Sequence, residues 1–261
     1  MRENLSAYLE FAAETAFLAG RLTLGYFQTG LRPTMKADDT PVTVADRQAE
    51  ALIRQRIEQH YPDHAIVGEE YGVTGRADSP CRWYVDPIDG TKSFTRGVPL
   101  YAVLLGLEIE GEVEVGAVYF PALDDMLVAA SGLGCWWNGR RARVSQVTRL
   151  AEATVAFTDI RGFEAHGRAK AWQRIMTATR FQAGWGDAYG HALVATGRVE
   201  IMLDPIMSDW DCGPFPPILR EAGGYFGDWS GNPTIHAQEA LSTTYKLLPQ
   251  VLNLIEASET P

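Results

Sequence analysis

Apolar residues recur at helical spacing near the start of the chain: Leu5, Leu9, Ala12, Ala13, Ala16 and Ala19. This pattern predicts a helix over 4–28, ended by Gly30 and Pro33. Ala49, Leu52, Ile53 and Ile57 share one face of a second helix, about 45–59, closed by Pro62. Two short apolar runs follow. Residues 65–67 read as a strand entering Gly68-Glu69-Glu70, and 82–85 as a strand stopped by Asp86-Pro87. Runs at 101–109, 112–120 and 125–130 are β-rich, with Glu110-Gly111 as a tight hairpin turn. Past Arg143 helices and strands alternate. Helices are expected over 166–178, 187–196 and 211–222, the last ending at Gly223-Gly224, and a strand over 199–203. Hairpins followed by such alternation imply an α+β protein with sheets layered between helices.

Composition narrows the class. The 261 residues are 46% hydrophobic, enough for a sizeable core. No low-complexity stretch, linker or repeat divides them, so 1–261 is expected to form one compact unit. The polar start Met1-Arg2-Glu3-Asn4 argues against a secretory signal. No segment approaches the ~18 uninterrupted apolar residues of a membrane span. Cys81, Cys135 and Cys212 are odd in number and lack CxxC spacing, which fits a reducing cytoplasm better than a disulfide or zinc framework. Lys plus Arg is 23 against 33 Asp plus Glu, a net charge of −10 that suits a nucleic-acid partner poorly. If the chain handles phosphate, a bound divalent cation must attract it.

The strongest chemical signal is Asp86-Pro87-Ile88-Asp89-Gly90-Thr91. Two carboxylates three apart at a strand end can converge, and the Ile88 carbonyl between them is a neutral oxygen donor. Hard cations, magnesium above all, favour such oxygens. Gly90 permits close backbone approach to a ligand. The Thr91 hydroxyl and the first amides of a following helix offer donors to phosphate. Any lone DxxDG is more often a capped turn. Glu69-Glu70 alone is an ordinary solvated loop, Pro41-Val42-Thr43-Val44-Ala45-Asp46 an ordinary helix cap, and Trp210-Asp211 an acid favoured by a helix dipole. All four in this order change the reading.

Together GEE at 68–70, WYVDPIDGTKSF at 83–94, PVTVAD at 41–46 and SDWD at 208–211 resemble the signatures of the inositol monophosphatase family, over nearly the whole chain. The resemblance implies a layered αβαβα sandwich of the inositol monophosphatase/fructose-1,6-bisphosphatase type. It also implies a homodimer that hydrolyses small phosphate monoesters with two or three Mg2+ ions. The half at about 1–145 would carry the metal motifs, and the half at about 146–261 the last ligand and the substrate-selecting residues. Carried over by position, Glu69, Asp86, the Ile88 carbonyl, Asp89 and Asp211 resemble the metal shell, with Asp86 bridging two ions and Asp89 and Asp211 holding the second. Asp46 and Thr91 resemble the pair that orients the attacking water, Glu69 belongs to the same catalytic set, and Lys36 is a looser match. One departure is visible. Where the family runs alanine-rich after the aspartate, this chain has Cys212-Gly213-Pro214-Phe215-Pro216-Pro217, and proline is tolerated only in a first helical turn.

Four gathered carboxylates, Glu69, Asp86, Asp89 and Asp211, would repel one another and a phosphate unless cations neutralise them. The expected reaction is in-line attack of a metal-activated water, without a covalent phosphoenzyme. For the substrate, Asp187 in Trp185-Gly186-Asp187-Ala188-Tyr189-Gly190 and Asp204 before Pro205 stand where inositol-hydrolysing members tend to have a small residue and a glutamate. With Arg-Gly-Val-Pro at 96–99, they resemble the histidinol-phosphate phosphatase branch, which acts in histidine biosynthesis. Two carboxylates would attract a cationic leaving group, although capping and a turn account for each acid separately. Alternatives are an inositol or sugar phosphatase with the same machinery, a non-enzymatic binder that kept the fold, and an aspartyl-phosphate enzyme. The last needs DxD spacing, which Asp86 and Asp89 lack. His60, His64, His166, His191 and His236 have no metal spacing and read as surface or packing residues. Trp136-Trp137 reads as packing, Arg140, Arg141 and Arg143 as a solvated turn, and Gly132-Leu133-Gly134 as a loop without a dinucleotide context.

Overall fold

The computed structural model describes residues 4–36 and 41–257. Met1 to Glu3, most of the polar start read above, lie outside them. Two helices, Leu5–Leu24 and Val44–His60, lie side by side on the outer face of a large sheet. The first is shorter than its periodicity predicts, because Gly25 caps it and Phe27 turns off to pack on Phe94 and Tyr101. The second starts at a capping box in which Thr43 and Asp46 satisfy each other's backbone amides.

Among the described residues the large sheet has eight strands, in the order Arg140–Arg141, Gly134–Trp137, Asp125–Ala130, Glu112–Phe120, Ala102–Ile109, Cys81–Asp89, Ala65–Gly68 and Gly72–Thr74. Neighbours run antiparallel except Ala65–Gly68, which is parallel to Cys81–Asp89. Every residue of Ala102–Ile109 is buried, as expected of a strand covered on both faces. A second sheet orders Phe181–Ala183, Thr154–Phe157, Ile201–Asp204, Ala240–Thr244 and Gly224–Gly227. The helices Asp187–Ala195 and Phe215–Ala222 lie between the two sheets. A buried cluster there joins Leu104, Val118 and Leu127 of the first sheet to Leu219, Met202 and Phe226. Ala169–Ala178 and Leu248–Glu256 cover the far face of the second sheet around Trp172, Trp229 and Val251. The layers are therefore α, β, α, β, α, as the motifs implied. No helix among the described residues is long and apolar enough to cross a membrane.

Three further expectations need correction. The strand expected over 82–85 does not stop at Asp86. It continues to Asp89 with a bulge, since Asp86 pairs with Leu104 while Asp89 pairs with Ala102. Pro87, lacking an N–H, is suited to such an irregularity. The helix expected over 166–178 begins only at Ala169, because Gly167 adopts φ +71°. The helix expected over 211–222 is two helices, Asp209–Cys212 and Phe215–Ala222. The Gly213-Pro214 break lies directly on the large sheet. A Cβ on Gly106 would sit 2.4 Å from Gly213, and one on the paired Gly116 would sit 2.0 Å from Pro214. Backbone-to-backbone contact of this kind leaves no room for side chains, so the departure from an alanine-rich run has a packing cause.

Candidate active site

The bulge determines how the two aspartates meet. In a regular strand, residues three apart point to opposite faces. The extra residue between Asp86 and Asp89 restores them to one side, at the C-terminal end of that strand. Asp211 arrives there from the first turn of its short helix. One carboxylate oxygen from each of Asp86, Asp89 and Asp211 lies within 4.8 Å of the others. Glu69 follows the adjacent parallel strand and borders the same cavity, of about 330 Å³, together with Ile88, Gly90 and Thr91.

The three clustered aspartates are each held by a backbone amide. Ile88 N–H donates to Asp86 Oδ1 at 2.9 Å, Ala188 N–H to Asp89 Oδ2 at 2.7 Å, and Ser208 N–H to Asp211 Oδ2 at 2.8 Å. Thr43 N–H donates to Asp46 Oδ2 at 2.8 Å, while Asp46 Oδ1 accepts from the Thr91 hydroxyl at 3.4 Å. Capping and site geometry are thus two uses of the same carboxylates. The Thr91 hydroxyl also reaches the Ile88 carbonyl at 3.1 Å. Gly90, at φ +79°, starts the helix Thr91–Thr95. The first intrahelical bond there runs from Phe94 N–H to the Gly90 carbonyl, so the amides ahead of it have no intrahelical partner. A Cβ on Gly90 would also meet Asp187 Oδ2 at 3.1 Å.

Burial and mutual repulsion disfavour ionisation throughout the cluster. Burial first, then Glu69, Asp89 and Asp211, push Asp86 well above the carboxylate range. Burial, then Asp187 and Asp211, do the same to Asp89. Burial raises Asp211 to about 6 and Glu70 to about 7. Glu69 and Asp46 are raised too, by burial. Burial alone would lower Lys36, but its bonds to Glu69 at 2.8 Å and Glu70 at 2.6 Å hold its pKa above the usual lysine value. An all-oxygen set carrying this much negative charge suits hard divalent cations.

A second cavity, about 270 Å³, adjoins the first and shares Asp89, Lys92, Asp187 and Asp211 with it. Asp204, Pro205 and Ile206 form its far wall. Asp187 begins its helix at φ +53°, a conformation aspartate tolerates better than most residues, with its N–H donated to Thr158 Oγ1 at 2.7 Å. Burial and then Asp204 raise Asp187 to about 7. Asp204 itself is only 3% exposed.

Some contributors escaped the sequence reading. Glu50 is fully buried and accepts from the amides of Glu70 at 2.7 Å and Tyr71 at 3.2 Å, and from Arg54 at 2.7 Å. It thereby fixes the loop that carries Glu69. Its only signal in the sequence is an i,i+4 Glu–Arg pair, which ordinarily marks a solvated helix face. Thr158 and Asp159 line both cavities with no motif around them. Of the histidines, His60, His166 and His236 are exposed and His64 packs on Trp83, but His191 is fully buried beside Asp204.

Comparison with known proteins gives the chain a family. Histidinol-phosphatase of Chlorobaculum parvum is 42% identical over 250 residues, covering 95% of each chain. Histidinol-phosphatase of Streptomyces coelicolor is 34% identical, over 95% of this chain and 96% of its own. The solved inositol monophosphatase of Anabaena superposes with a TM-score of 0.85 at 30% identity, over 96% of each chain. The profile described as the inositol monophosphatase family matches residues 4–259. The chain belongs to the inositol monophosphatase family, whose members named here are phosphoric monoester hydrolases.

Proposed function

We propose that this protein hydrolyses histidinol phosphate to histidinol and inorganic phosphate, as a step of histidine synthesis in the cytoplasm, and that residues 1–261 work as one catalytic unit within a homodimer. The observation that carries the substrate is the second cavity, which Asp187 and Asp204 line beside Asp89 and Asp211, with Lys92 offsetting the charge of Asp187 only in part. A leaving group bearing an ammonium and an imidazole neutralises that pair, whereas a polyol gains only neutral hydrogen bonds. The relatives named histidinol-phosphatase support the same reading.

Glu69, Asp86, the Ile88 carbonyl, Asp89 and Asp211 would hold two or three magnesium ions. When bound, magnesium neutralises the acid cluster, lends positive charge to the phosphoryl oxygens and acidifies water. Gly90 and Thr91, at the start of their helix, accommodate the phosphate. Thr91 and Asp46, 3.4 Å apart, orient the attacking water, whose proton passes to the Asp46 carboxylate by way of the Thr91 hydroxyl. Asp187 and Asp204 hold the leaving group so that the scissile bond lies in line with that water.

The test is a purified-enzyme panel of histidinol phosphate, inositol-1-phosphate, fructose-1,6-bisphosphate and adenosine 3′,5′-bisphosphate, with and without chelator. Histidinol phosphate should be turned over at least ~10-fold more efficiently than inositol-1-phosphate, about 1.4 kcal/mol in transition-state binding. A preference for inositol-1-phosphate replaces the substrate and leaves the phosphatase. The second reading, an inositol or sugar phosphatase, is favoured by the Anabaena neighbour. Activity in excess chelator with no metal retained removes the metal mechanism.

A further inference from the structure

Two buried polar atoms face each other beneath the leaving-group cavity. His191 Nε2 and Asp204 Oδ2 are 3.4 Å apart, both are shielded from solvent, and neither has a hydrogen-bond partner. Buried polar atoms are ordinarily paired, and at 3.4 Å a small shift of either side chain brings these two into hydrogen-bond geometry. On the other side of the ring, His191 Nδ1 lies 2.7 Å from the Ser242 hydroxyl. With Ser242 donating to Nδ1, the ring's N–H is on Nε2, the nitrogen on the side of Asp204. Phe215 and Phe226 pack on the ring, with centroids 4.8 and 5.6 Å away, and hold it in that plane. His191 lies one turn into the helix that Asp187 begins, so that helix carries Asp187 at its start and the neighbour of Asp204 one turn later.

We propose that His191 is a positioning residue for substrate selection. Through Nε2–H it holds the inner oxygen of Asp204, which turns the other oxygen to the cavity as acceptor for a cationic leaving group. Ser242 fixes the tautomer and the two phenylalanines fix the ring. His191 touches no substrate atom. The inference rests on the proposed preference for a phosphate ester with a cationic leaving group, and it names the part of the fold that maintains that preference.

The readout is the ratio of kcat/KM on histidinol phosphate to that on glycerol phosphate, whose leaving group is uncharged. His191→Phe keeps an aromatic ring and removes the donor. It should lower the ratio about 10-fold, through a higher KM for histidinol phosphate with kcat within about 2-fold, as expected for a lost ground-state contact. His191→Gln, which retains an N–H donor, should recover part of the ratio. Ser242→Ala frees the tautomer with little change of volume and should shift the ratio the same way by about 3-fold. It carries the test if His191→Phe does not fold. A ratio unchanged in Ser242→Ala and His191→Phe, or equal losses on both substrates, overturns the positioning role while the substrate reading stands. A wild type that does not favour histidinol phosphate over glycerol phosphate overturns both.

Discussion

Asp86, Asp89 and Asp211 each spend one oxygen on a backbone amide, and that division makes the outcome of substitution specific. Asp86→Asn keeps the size of the side chain but removes a charge from a cluster that resists ionisation. Turnover should fall by roughly two orders of magnitude or more, while the metal-free fold is at least as stable, because a source of like-charge repulsion is gone. Steady-state kinetics with a thermal melt check this, and turnover near that of wild type at modest magnesium removes Asp86 from its role. Away from the site, His64 accepts the Trp83 indole N–H on Nδ1 at 3.0 Å, so protonating that nitrogen breaks the bond. Burial holds its pKa below the ordinary value, with nearby Asp63 pulling the other way. The unfolded imidazole gains a proton near pH 6.5 and the folded one resists it. The stabilisation is therefore complete above about pH 6.5 and is lost as the pH falls toward the folded value. Urea midpoints between pH 7.5 and 5.5 should drop more steeply for the wild type than for His64→Gln, and parallel slopes sink the argument.

At the scale of elements, periodicity located the outer helix pair and the hairpin strands Ala102–Ile109, Glu112–Phe120 and Asp125–Ala130 closely, because each is long and uniformly patterned. It was silent where position in the fold overrides pattern. Thr154–Phe157, Phe181–Ala183 and Gly224–Gly227 are short and carry no alternation. The continuous helix expected over 211–222 failed because a sheet-facing glycine pair, Gly106 and Gly116, admits a bare backbone, a fact no local window contains. The motif acids were legible in number and order. Glu50 was not, since its partners lie on a loop about twenty positions downstream. Glu50→Gln puts an amide against the amides it now accepts from and leaves Arg54 without its charge partner. The magnesium concentration for half-maximal activity should rise about 10-fold, in the range found for outer-shell supports of metal ligands. A magnesium titration at a temperature where circular dichroism shows folded protein checks it, and an unshifted midpoint means that the loop is held by other contacts.

Over the whole molecule, the net charge of −10 includes the clustered Asp86, Asp89 and Asp211, so a cation held there should link its binding to folding. At about 100 times its dissociation constant, magnesium should stabilise the native state by ~2.7 kcal/mol, raising the melting temperature of a chain this size by roughly 5–10 °C. Differential scanning calorimetry with magnesium and with chelator measures this, and an unmoved transition contradicts the linkage. The bond from Ala188 N–H to Asp89 also connects residues 99 positions apart in sequence. It ties the residue after Asp187, proposed above to hold the departing alcohol, to an acid of the proposed metal site. Recognition and reactivity consequently share a hinge pin. A change at Asp187 that rotates its helix displaces Asp89 as well, so retargeting this scaffold from that position trades new selectivity against rate. The opposite wall, formed by Pro205 and Ile206, borders the leaving-group cavity without lining the phosphate cavity, and offers the freer route by which such an enzyme could be drawn to a different alcohol.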